Sequence, residues 1–323
     1  MAGRLEWPDH GRLMPERRRL FAPGRSRRDS QPLTLLWAGL AGPGMVWMAL
    51  FFVVPFYAVA AVAFGSVDPI LQTAAPEWNP RYWDFTSFND VLDRVLGGDL
   101  GTVFIRTGLY VVAATMLCIA VGYPVAYFVS RHAGRWRATL LTLMILPFWV
   151  SYLMRMLAWV NLLQPQGWVA RALATVPGGD RSWLTGQPIT VVLGLVYGYV
   201  PFFILPLYAT LDRIDGRLLE AARDLGASGR QAFWRVTLPL SRQGLLAAAM
   251  ITALPMVGDY FTNDVLSASP RTEMIGNQVV YYLQQTTQPQ VGASLVLILS
   301  AVLIVVTAGY LISVSRAQKL VTR

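Results

Sequence analysis

PITVVLGLVYGYVPFFILPLYATL, residues 188–211, runs for 24 residues without a charged side chain. As a helix it would reach about 36 Å, enough to cross a hydrocarbon core about 30 Å thick. Five further apolar runs lie near 33–64, 102–129, 138–162, 243–263 and 291–314. In chain order the second is interrupted by Arg106, the third by Arg155, and the fifth, the weakest, by Pro255 and Asp259. Six transmembrane helices are therefore expected, and the fold class is an all-α integral membrane protein. The composition agrees, with 54% of the 323 residues apolar and 14% charged, against about 25% charged in a soluble domain. A soluble enzyme, collagen, a coiled coil and a disordered chain are all excluded.

The single cysteine, Cys118, and the two histidines, His10 and His132, leave no disulfide framework or zinc cluster to build. Lys319 is the only lysine, so no phosphate loop of the G-x-x-x-x-G-K-[ST] type exists and ATP is not bound here through one. No nucleophile–base constellation suggests an enzyme. Arg27 and Arg28 precede the first apolar run and Ala58-Val59-Ala60 resembles a signal-cleavage site. That run is about twice the 7–15 residues of a signal core, so a retained first helix is expected.

Basic residues concentrate in cytoplasmic loops. With the N-terminus inside, twenty of the 27 cations lie on the cytosolic side, in the tail, the 130–137 loop, the 212–242 loop and the C-terminal tail. Only Arg81, Arg94, Arg171, Arg181 and Arg271 lie outside, among nine acids that include Asp180. Both termini are expected in the cytosol, and the net charge of +9 reflects membrane orientation rather than nucleic-acid binding. The domain expectation is a flexible Arg-rich tail at 1–32, a six-helix transmembrane domain at 33–314 with an outer segment at 67–100, and a cytoplasmic tail at 315–323. The outer segment places Trp78, Tyr82 and Trp83 among acids, suiting a short interfacial helix.

The cytosolic stretch DRIDGRLLEAARDLGASGRQAFWRVTLPLSR, residues 212–242, is more than a turn. Leu218, Leu219, Ala222 and Leu225 recur at helical spacing, with Arg217, Glu220 and Asp224 on other faces. Gly226 and Gly229 supply a stop and a turn, and Pro239 is expected to break the chain before the fifth span. An interfacial helix lying on headgroups is the plain alternative.

Glu220-Ala221-Ala222, three residues, Gly226, nine residues and Val236-Thr237-Leu238-Pro239 resemble the EAA loop of ATP-binding-cassette importer permeases, EAA-x3-G-x9-I-x-L-P. Valine for isoleucine is the one departure. The resemblance implies a type I permease architecture and a coupling helix, built on Glu220, Ala221, Ala222, Leu225 and Gly226, that docks on a separate ATPase subunit. ATP and Mg would then sit on that partner, and this chain would carry no cofactor.

Most of residues 35–314 also resembles the permeases of spermidine/putrescine importers, chiefly LPFWVSYLMRMLAWVNLL at 146–163 and VLGLVYGYVPFFILPLYATLDRID at 192–215. The chain looks more like the first permease of a pair, in a bacterial inner membrane. The implied partners are a second permease, two ATP-binding subunits and an extracytoplasmic polyamine-binding protein, with no nucleic acid and no metal. A polycation needs carboxylates and aromatic faces. Asp259, the sole acid inside an expected span, is followed by Tyr260 and Phe261, and intramembrane acids are functional candidates. Trp149, Tyr152 and Trp159 share a helical stripe, and Tyr197 and Tyr199 flank Gly198, with Pro201 placed to loosen the helix.

Two readings of Asp259 stand open: contact with cargo, or a structural ion pair with Arg155. Cys118 is expected to pack, His132 to be a solvated loop residue, and Arg106 to snorkel to the outer headgroups. Two alternatives to a polyamine permease remain, the same machine with another small solute, and a secondary transporter without an ATPase.

Overall fold

The computed structural model describes residues 31–68, 73–175, 182–285 and 288–321, with side chains from 39 to 316. The Arg-rich tail through residue 30, Asp180, Arg181 and the side chain of Lys319 lie outside the described residues. The chain divides into two units, one through Pro55 and one from Phe56. Helix α1, Gln31–Ala63, runs through both Pro43 and Pro55. In the first unit the side chains of residues 45–52 are all apolar and all exposed, with Trp47 and Phe51 in ring contact at 4.5 Å. An apolar exposed surface of this kind is what a lipid-solvated helix requires.

The second unit continues with a two-residue hairpin, β1 Ser66–Val67 and β2 Ala74–Ala75, and then α2, Thr86–Gly97. Asp84 accepts from the Thr86 amide at 2.9 Å and hydroxyl at 2.6 Å, and α2 is the short helix expected in the outer segment. Helix α3, Asp99–Arg131, follows, then α4, Arg137–Ile145, α5, Tyr152–Leu163, and α6, Trp168–Ala174. Helix α7, Pro188–Asp212, stays continuous through Pro201 and Pro206.

The third expected span is not one helix. After α4 the chain forms a 3₁₀ turn at Leu146–Trp149, Val150 and Ser151 are extended, and α5 departs at 90°. Pro147 lacks the N–H that would extend the ladder, and the two extended residues redirect the axis. Five helices are long and apolar enough to cross a membrane, and this bent pair makes the sixth candidate among the described residues.

The 212–242 stretch forms α8, Gly216–Asp224, and α9, Gly229–Ala232. Helix α9 passes through a π turn at Phe233–Thr237 into α10, Leu238–Val257. The expected break at Pro239 therefore does not occur, and Gly229–Val257 is one helix. The widened turn, closed by the Leu238 amide on the Phe233 carbonyl, relieves the clash a proline ring makes with the preceding turn. Helix α10 ends before Asp259, so the acid lies outside the fifth span's helix. The chain continues as α11, Phe261–Leu266, α12, Ile275–Gln284, and α13, Pro289–Val321. The last helix thus extends through most of the expected C-terminal tail.

Two apolar clusters hold this unit together. Ala114, Cys118, Tyr123 and Ala126 of α3 pack with Leu195, Phe203, Leu207 and Leu211 of α7 and Ala248 and Met256 of α10. Cys118 is the packing residue expected. Val91, Leu100, Ile275, Tyr282, Leu295 and Ile298 join α2, α3, α12 and α13. Arg106 donates to the Arg271 carbonyl and, at 3.5 Å, to that of Pro270, which pins the α11–α12 connection to α3. The Ile275 amide adds a bond to Thr107 Oγ1 at 2.8 Å.

Candidate functional site: coupling loop and translocation path

Nine residues of α8 are fewer than the roughly 12–15 an isolated helix needs in water, so its ends must be held. Asp215 accepts from the Arg217 amide at 3.0 Å and caps the start. At the other end the Gly226 amide bonds the Arg223 carbonyl at 2.8 Å and the Ala227 amide bonds the Ala222 carbonyl at 3.0 Å. This is the paired C-terminal cap that requires a left-handed residue, and Gly226 supplies it with φ +86°. The spacing of Gly226 after the Glu-Ala-Ala triplet is thus set by where the helix ends. Ser228 then caps α9 reciprocally with Gln231, at 3.3 and 2.9 Å.

The roots of the loop are also tied. Arg131 Nη2 donates to the carbonyls of Leu211 at 3.1 Å and Ile214 at 2.9 Å, adding to the Ile214 amide that reaches Leu211 at 3.3 Å and tying the end of α7 to α3. Arg137 bridges Asp212 at 2.7 Å and reaches the Tyr208 hydroxyl. Tyr123 and Ser241 join α3 to α10 by a hydroxyl bond of 2.8 Å. Leu219 is buried and anchors α8, whereas Leu225 is 90% exposed and Leu218 about half exposed. Glu220 and Ala221 are exposed and Ala222 half-buried. The apolar stripe of α8 is therefore divided between one residue turned inward and others presented outward.

The second constellation surrounds Asp259, only 7% exposed in the turn between α10 and α11. Its Oδ1 accepts from the Thr262 amide at 2.9 Å. Its Oδ2 accepts from the Tyr199 hydroxyl at 3.1 Å and from the Tyr152–Thr262 hydroxyl pair, whose oxygens lie 3.3 and 2.9 Å from it and 2.6 Å from each other. Non-helical backbone and a carboxylate at such a position are tolerated because protein groups satisfy them. Tyr152 reaches this site because Gly198 has no Cβ; one there would lie 2.9 Å from Tyr152 Cε2.

Of the residues the sequence marks as a candidate path, the structure brings Tyr152 and Tyr199 to Asp259 and places Tyr197 beside Arg155. Phe148, which no spacing singles out, joins Tyr197 there. The stripe of Trp149, Tyr152 and Trp159 does not form, since the bend falls between the first two; Trp149 is 85% exposed. Trp159 instead meets Tyr197 edge-on at 5.3 Å. Tyr260 is 40% exposed and meets Phe261 edge-on at 6.1 Å. The ion pair between Arg155 and Asp259 is not made. Asp259 is held by the Thr262 amide, the Tyr199 hydroxyl and the bonded hydroxyl pair of Tyr152 and Thr262. Arg155 lies over aromatic rings: Phe148 at 4.1 Å, Tyr152 at 5.3 Å and Tyr197 at 5.8 Å. The three-dimensional bend, invisible to helical spacing, brings Phe148 back over α5.

Long apolar helices, a rigidly capped exposed loop and an inward polar centre define a membrane transport subunit. Residues 118–319 match the family described as "binding-protein-dependent transport system inner membrane component", and the chain belongs to that family. It is therefore a multi-pass inner-membrane permease subunit, not an enzyme. It is 34% identical over 236 residues to the spermidine/putrescine transport system permease protein PotB of Haemophilus influenzae, covering 72% of this chain and 78% of that one. Against PotB of Escherichia coli K12 the identity is 35% over 167 residues, 51% of this chain and 60% of the relative. A chain of a bacterial alginate ABC transporter, crystallised with an alginate pentasaccharide-bound periplasmic protein, has the same fold at TM-score 0.66 and 18% identity, covering 87% and 93% of the two chains.

Proposed function

We infer that this permease forms half of the translocation path of an ATP-driven importer whose cargo is a polyamine of the spermidine/putrescine class. A second permease forms the other half, two ATP-binding subunits hold ATP and Mg, and an extracytoplasmic binding protein delivers cargo. Both termini face the cytosol. The observation that carries the coupling role is α8: a short helix capped at both ends, tied at its roots to α3, α4, α7 and α10, and presenting Leu225 outward. Such a body transmits a rigid displacement, which a slack loop would absorb.

Nucleotide binding draws the ATPase subunits together, the coupling helices follow, and the permeases expose the path outward; hydrolysis resets the inward-facing state. Nucleotide drives the change by binding the two states with different affinity. Support for a polyamine comes from the named relatives and from the chemistry around Asp259, where a buried carboxylate is surrounded by phenols. The test is uptake of labelled spermidine into proteoliposomes holding this permease with its co-expressed partners. Uptake that needs ATP, the binding protein and α8 supports the reading. Uptake by this chain alone, without an ATPase, refutes it; ATP-dependent uptake of a different solute refutes the cargo and keeps the motor.

A further inference from the structure

Arg155 is a poor structural arginine. Its backbone amide bonds the Ser151 carbonyl at 3.1 Å, placing it in the first turn of α5, where the helix dipole disfavours a cation. Its Nε and Nη1 are buried without an acceptor, although buried donors are nearly always bonded. No carboxylate pairs with it among the described residues. What holds the guanidinium is π density: Phe148 at 4.1 Å, Tyr152 at 5.3 Å and Tyr197 at 5.8 Å. These rings come from the 3₁₀ turn, α5 and α7, so the 90° bend assembles them. Tyr152 has a second role, because its hydroxyl lies 2.6 Å from Thr262 Oγ1 and 3.3 Å from Asp259 Oδ2 and so belongs to the hydrogen-bonded pair that satisfies the carboxylate. One phenol thus presents its face to a cation and its hydroxyl to a carboxylate, and the two charges do not meet.

We propose that Phe148, Tyr152 and Tyr197 form a binding cage for an alkylammonium group in the translocation path, and that Arg155 occupies it as a tethered stand-in which cargo displaces. An ammonium needs aromatic faces and a nearby carboxylate, and this cage with Asp259 behind Tyr152 supplies both. The missing acceptors leave Arg155 under-bonded in the cage and free to leave it. A resident competitor also sets a threshold: a cage vacant roughly a tenth of the time weakens apparent cargo affinity about tenfold. The cargo's identity rests on the polyamine reading, whereas the cage does not.

Propylammonium chloride is the probe, titrated against sodium chloride at equal ionic strength into the full chain purified with its partner subunits in lipid nanodiscs. In Arg155→Ala it should raise Tm by roughly 2–4 °C, give wild type the same rise only at about tenfold higher concentration, and lose its effect when Phe148→Leu is added. An equal response of wild type and Arg155→Ala overturns the cage, as does a response that survives Phe148→Leu. Arg155→Ser serves the same titration if the alanine variant fails to fold. Spermidine uptake by the wild-type transporter is measured in parallel. If it is absent while propylammonium still stabilises Arg155→Ala, the cage stands and the cargo reading falls.

Discussion

Gly226 offers the sharpest test of the coupling helix, because its environment separates backbone strain from crowding. Its φ is +86° and a Cβ built there meets nothing within 4 Å, so any penalty on substitution is conformational. A side-chain-bearing residue in the left-handed region costs about 1–2 kcal/mol. In a nine-residue helix that depends on its caps, this reduces the capped population about five- to thirtyfold. Gly226→Val, β-branched, should lie at the severe end and Gly226→Ala between it and wild type. Gly226→Asn should retain most activity, because asparagine tolerates this conformation. The assay is ATP-driven uptake into proteoliposomes, normalised to permease content in the membrane, with ATPase turnover measured on the same vesicles. Uptake should fall in the order Asn, Ala, Val while the amount of inserted permease stays constant. Wild-type uptake by Gly226→Val, or an asparagine variant as impaired as the valine variant, would refute the reasoning.

Asp259→Asn should abolish uptake, and adding Arg155→Gln should not restore it, because the two residues are not paired; recovery in the double variant would reinstate an ion pair. Gly198→Ala should displace Tyr152 from Asp259, since its Cβ would lie 2.9 Å from Cε2 and 3.0 Å from the hydroxyl. Uptake should drop while Gly97→Ala, at a site with nothing within 4 Å, stays near wild type in the same assay. In the outer segment the Thr86 hydroxyl and amide hold the Asp84 carboxyl below its ordinary 3.8. A lowered carboxyl pKa contributes stability that is present above the unfolded value and lost as pH falls through the folded one. Asp84→Ala should therefore lower Tm slightly at pH 7, and thermal melts in nanodiscs should show the gap to wild type narrowing once the pH falls below 3.8; a gap that widens in acid contradicts the sign.

The hydrophobic runs made the spans legible because lipid solvates side chains directly: the expected start near 33 and the observed helix from Gln31 differ little, as do 188–211 and Pro188–Asp212. The helix of the 212–242 loop was legible for a different reason, since a cap demanding left-handed backbone leaves a glycine at a set distance from the helix it ends. Pro239 misled because a single proline signals a break, and the π turn that accommodates it leaves no local signature.

Sequence alone thus determined the membrane class, the helix-bearing 212–242 loop and the residue types available for a cation, because hydropathy and caps are local properties. Only the tertiary structure decided which of those residues meet. The bend at Val150 and Ser151 separates Trp149 from Tyr152, returns Phe148 to Arg155, and leaves Asp259 to hydroxyls. Such contacts join α5, α7 and α11 across up to 110 residues, and periodicity within one helix carries no information about the direction a broken helix takes.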